Sequence, residues 1–74
     1  MEIRFDKIGD NRFRAYVNSA MIAGYYCVGE KWTCVVIDGS ENIWITLAPD
    51  TQHDCETIIE EQWVKFQKLL NRNG

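Results

Sequence analysis

Four side chains in this 74-residue chain are of the types that bind metals or attack electrophiles: Cys27, Cys34, His53 and Cys55. Three thiolates and an imidazole form a donor set that holds Zn²⁺ tetrahedrally. The spacing opposes that use. Structural zinc sites present ligands on knuckles about two to four residues wide, whereas six residues separate Cys27 from Cys34. On a helix, His53 and Cys55 would point about 200° apart. The same angle keeps Cys55 from His53 as a nucleophile–base pair, and Cys34 lies in an apolar run where thiols are inert. The sequence contains no glycine-rich phosphate loop and no Ser/His/Asp motif. The reading is a non-enzyme with no metal and no cofactor.

Two surface chemistries remain. The first is aromatic. Tyr16, Tyr25, Tyr26, Trp32 and Trp44 fall in strand-like segments and could stack bases of a single-stranded nucleic acid. Phosphates need positive charge beside those rings, and the chain carries a net charge of −3. Arg4, Lys7, Arg12 and Arg14 are diluted by Glu2, Asp6 and Asp10. Direct nucleic-acid binding is therefore the less favoured expectation.

The second chemistry is acidic. Between Lys31 and Lys65 there is no Lys or Arg, while Asp38, Glu41, Asp50, Asp54, Glu56, Glu60 and Glu61 all lie there. Carboxylates so concentrated attract basic surfaces and speed encounter with them. The expected contact set is Asp50, Asp54, Glu56, Glu60 and Glu61, with Trp44 as an aromatic anchor. The expected partner is a protein with a basic, nucleic-acid-handling surface.

The elements that must position these groups follow from periodicity. Cys55, Ile58, Ile59, Trp63, Phe66, Leu69 and Leu70 fall within an arc of about 140° at about 100° per residue, a helix stripe facing a core. Gln62 interrupts the stripe and Val64 lies opposite it. Thr51 and Asp54 have capping-box spacing, with Asp54 itself a competing N-cap one turn later. The helix is expected over about residues 51–71.

Upstream, Ile3 and Phe5, then Phe13, Ala15 and Val17, alternate with polar residues around a Gly9-Asp10-Asn11 turn, which reads as a hairpin. Residues 18–24 are ambiguous: Asn18 or Ser19 could cap one helical turn, or the segment could continue into a strand, and an irregular link or short turn is the preferred reading. Tyr25–Val28 and Trp32–Ile37 follow as strands, with an Asp38-Gly39 turn leading to alternating Ile43, Ile45 and Leu47. The Trp32–Ile37 segment is apolar on both sides, so both faces of the sheet are expected to be covered. One helix covers one face. For the second, the residues around Met21 are expected to fold across; a twin subunit in a homodimer, or a partner, would serve instead.

The expected fold is thus α+β: one domain over residues 1–74, with an antiparallel sheet of four or five short strands at about 2–47 and one long C-terminal helix on one face. No apolar run is long enough for a signal-peptide core or membrane span, and three unpatterned cysteines suit a reducing compartment, so a cytoplasmic setting is expected. In size, acidity and strands-then-helix layout the chain resembles small phage-encoded inhibitors of host defence, such as anti-CRISPR and anti-restriction proteins. The resemblance implies a non-enzymatic protein-binding module and transfers no individual residue.

Overall fold

The computed structural model describes residues 3–39, 41 and 43–72, with side chains through residue 70. Its elements run β1 (Arg4–Gly9), β2 (Arg12–Val17), β3 (Ala20–Val28), β4 (Lys31–Asp38), β5 (Ile43–Leu47) and α1 (Gln52–Arg72). The strands form one antiparallel meander in the order β1-β2-β3-β4-β5. The architecture is α+β, with α1 packed on β3 and β4.

Two-residue connections join the first four strands, and each needs one left-handed residue. Asn11 (φ 54°), Asn18 (φ 56°) and Gly29 (φ 64°) supply it. Asparagine tolerates that region better than most side chains. Asn18 corrects the expected irregular link over 18–24: it turns the chain within two residues, and β3 begins at once with Ala20 opposite Val17. A bulge then hides the strand from a period-2 reading. Ala15 pairs with Ala23 but Tyr16 pairs with Met21, leaving Ile22 as the extra residue, and its side chain is buried. Ser40 and Asn42 of the turn after β4 lie outside the described residues.

The helix starts where the sequence places it. The Asp54 N–H donates to Thr51 Oγ1 at 3.1 Å, and the Cys55 N–H donates to the Thr51 carbonyl at 3.2 Å. Thr51 is therefore the N-cap, and Asp54 stands in the first turn rather than capping it. The first part of the stripe packs as predicted, with Cys55 and Ile59 fully buried against Ala15, Ala23, Tyr25, Cys34 and Val36 and with Ile58 and Trp63 beside them, while Leu70 at its end is exposed. Small side chains on the strands (Ala15, Ala23, Cys34) leave room for the helix to approach. Gln62 acquires a role: its Oε1 accepts the Gly39 N–H at 2.9 Å. Gly39 is buried, and a Cβ there would come within 2.3 Å of the Gln62 carbonyl oxygen and 2.6 Å of Lys65 Cβ. The glycine of the expected Asp-Gly turn is thus a seat for α1, where only hydrogen fits.

One expectation fails. The residues around Met21 do not fold across the second face of the sheet, because they are β3 itself. The shortest Cα dimension is 17 Å, enough for two layers and no third. Among the described residues no element covers that face.

Candidate functional site

The six expected contact residues do not share a surface. Asp50, Asp54, Glu60 and Glu61 are exposed on the helix side. Trp44 is also exposed, at 52%, but it pairs with Ile37 on the opposite side of the sheet from α1. Glu56 is half-buried and occupied: its Oε2 accepts a 2.6 Å hydrogen bond from the Tyr25 hydroxyl. Burial and then the Glu56 bond push the Tyr25 phenol well above its ordinary range. Glu60 and Glu61 in turn border Val64, Lys65 and Lys68, so the acidic side gives way to a mixed one halfway along α1.

The cysteines separate as well. Cys34 and Cys55 meet beneath the helix, with the Cys34 thiol directed at the Cys55 carbonyl at 4.0 Å. Cys27 turns instead to the Gly29 carbonyl at 3.3 Å, and His53 is exposed. Burial pushes the Cys34 thiol up to about 12 and the Cys55 thiol to about 11, Asp54 and Glu56 adding to the latter. Neither is a nucleophile at neutral pH.

The uncovered face of the sheet has a different character. Strand register arranges it in cross-strand rows. Arg4, Tyr16 and Met21 form one, with the Ile37–Trp44 pair at the same end of the face; Asp6, Arg14, Gly24, Val35 and Thr46 form the next; Arg12, Tyr26 and Thr33 form a third; Val28 and Lys31 close the end. Rows lie about 6.8 Å apart, two residues along a strand. Among the described residues the face holds four cations (Arg4, Arg12, Arg14, Lys31) against the carboxylate of Asp6, with Asp10 and Glu30 in the turns at its edge. Its balance is positive in a chain whose net charge is negative.

Arg4 is committed locally, bonded through Nε to Asp6 at 3.1 Å and lying 4.9 Å above the Tyr16 ring. Arg12 and Arg14 make no ion pair among the described residues. Three aromatic side chains join them: Tyr16, half-buried, and Tyr26 and Trp44, both exposed. Two of the rings expected on a stacking platform go elsewhere. Tyr25 and Trp32 face α1, in a cluster where Phe13 stacks on Tyr25 at 4.9 Å and Phe5 meets it edge-on at 6.2 Å. On this face lies a depression of about 330 Å³ whose lining includes Gly24, Arg12, Arg14, Tyr26, Val35 and Ile8.

Averaging charge along the chain hides the contribution of Arg12 and Arg14 beside Tyr26. The available signal was strict alternation: Arg12, Arg14 and Tyr16 take the positions opposite Phe13, Ala15 and Val17, so one face must collect them. No protein-family model matches the chain, and comparison with curated proteins and with solved structures likewise finds no match.

Proposed function

We propose that this protein is a non-enzymatic binding module that holds single-stranded nucleic acid on the uncovered face of its sheet. One observation carries the reading: Arg12, Arg14 and Lys31 share a face with Tyr16, Tyr26 and Trp44, while the acidic helix lies on the other side. A single strand presents the two features such a face can use, phosphates for the guanidinium groups and unstacked rings for the aromatics. A duplex hides its rings, and a carboxylate-rich peptide offers none in series. The net charge of −3 does not oppose the reading, because at about 0.1 M salt charges more than about 10 Å apart are largely screened. Three free thiols suit a cytoplasmic setting.

Anisotropy of a labelled single-stranded oligonucleotide tests it. Binding should weaken with salt, at a log–log slope of about −0.7 per phosphate contacted. Arg12→Glu with Arg14→Glu should lower affinity at least tenfold and flatten that slope, with the melting temperature unchanged. An absence of binding at low ionic strength would end the proposal.

The second reading keeps the helix side as the working surface, and the exposure of Asp54, Glu60 and Glu61 favours it. There the protein would dock on a basic, nucleic-acid-handling protein in the manner of a phage-type inhibitor, with carboxylates steering the encounter. Its test is Glu60→Lys with Glu61→Lys, which should weaken partner capture in a salt-dependent way. Glu56 does not belong in that variant, because reversing it breaks the bond to Tyr25. A homodimer closing the sheet face is the third possibility, decided by sedimentation of the purified protein.

A further inference from the structure

Gly24 sits in the interior of β3, the middle strand of the sheet, with Arg14 opposite on one side and Val35 on the other. A glycine there weakens a strand, since it loses backbone entropy on folding and packs nothing. The β3 bulge lies two residues away at Ile22, and two other usual reasons for a strand glycine are missing. Its φ is not in the left-handed region, where among the described glycines only Gly29 lies. Nor is space short: a Cβ at Gly24 would meet only the Phe13 carbonyl oxygen, at an ordinary 3.6 Å. The contrast with Gly39 is sharp, because there the helix backbone excludes any side chain. Gly24 lines the depression together with Arg12, Arg14, Tyr26 and Val35, and a side chain there would take up part of its space. Apart from a bulge, a strand glycine marks close approach by a ligand or another backbone.

We infer that the Gly24 depression is a base subsite, where one unstacked nucleobase lies flat on the exposed backbone of β3 against Tyr26 while Arg12 and Arg14 hold its flanking phosphates. The inference rests on the nucleic-acid reading above and adds to it a defined contact with a base rather than with backbone alone. Charge complementarity selects the occupant. Arg12 and Arg14 at the rim call for an anion, and the apolar border of Val35, Ile8 and the Tyr26 ring calls for a flat ring attached to it.

The test is Gly24→Val, read by two measurements at once. Valine suits a strand and has room, so the variant should melt at or above the wild-type temperature. Its affinity for a labelled oligothymidylate should nevertheless fall about tenfold, the order expected for one lost stacking contact. Wild type should likewise bind an abasic strand of equal phosphate number more weakly than the oligothymidylate. Gly24→Ala should fall between. If Gly24→Val binds oligothymidylate as wild type does, or if wild type binds the abasic strand equally well, the base subsite is wrong even though the Arg12/Arg14 reading stands. If Gly24→Val alters sedimentation instead of oligonucleotide affinity, the face belongs to a second copy of the chain and the inference falls. If no variant or wild type binds any strand, the functional reading falls with it.

Discussion

The two faces of this sheet are made from the same five strands and have opposite chemistry. The covered face is built from small and apolar side chains: Ala15, Ala23, Cys34 and Val36 beneath Cys55 and Ile59, ringed by Phe5, Phe13, Tyr25 and Trp32. The open face mixes arginines, exposed rings and a bare glycine with exposed apolar side chains, Ile8, Met21 and Val28. Burial is what stabilises the fold, so one face carries nearly all of that task. The other is then free of packing constraints, and its residues are accounted for by what they could contact outside the chain.

That contrast can be broken most forcefully from the covered side. Ile59→Ala removes a fully buried side chain and should cost about 2–5 kcal/mol in chemical denaturation, whereas Trp44→Ala on the open face should change stability by no more than about 0.5 kcal/mol. Comparable losses from the two would mean that the open face is also a core. Next in size is Gly39→Ala, which forces a methyl against the α1 backbone and should cost about 1–3 kcal/mol. The same change at Gly24 should be tolerated. The pair separates a glycine that the fold requires from one that it does not.

A smaller effect is expected from the Tyr25–Glu56 bond. The folded state raises the phenol pKa, so its contribution is complete below about pH 10, the unfolded value, and is lost as pH climbs above it. Wild-type stability should decline above about pH 10 more steeply than that of Tyr25→Phe, with the two converging; parallel declines would show that the phenol is unperturbed. Smallest in energy, but plainest to read, is thiol labelling. Half-buried Cys27 should react with a disulfide reagent in the native state, while Cys34 and Cys55 wait for unfolding.

The covered face was largely legible in the sequence because periodicity encodes it. The stripe from Cys55 to Leu70 identified α1, and Thr51 placed its start, since both signals are local. Even the defect at Gln62 was visible, though not its cause, which is a hydrogen bond accepted from the Gly39 N–H in the turn after β4. The open face was not legible, for two physical reasons. The Ile22 bulge broke the alternation that would have announced β3, so Met21 and its neighbours were read as a cover for the sheet rather than a strand within it. Charge was the second. Averaged along the chain, Arg12 and Arg14 are neutralised by nearby acids; register leaves Asp6 opposite Arg14 but also sets the two arginines beside Tyr26 and Gly24. Likewise, Trp44 seemed to belong with the acids that follow it, and the sheet stands between them.

The most direct measurement of the central claim is an NMR titration with a short single-stranded oligonucleotide, following side-chain signals on each face. The guanidinium N–H signals of Arg12 and Arg14 and the indole N–H of Trp44 should shift, while the Trp63 indole on the helix side stays in place. Movement confined to α1 around Glu60 and Glu61, or no movement at all, would contradict the account.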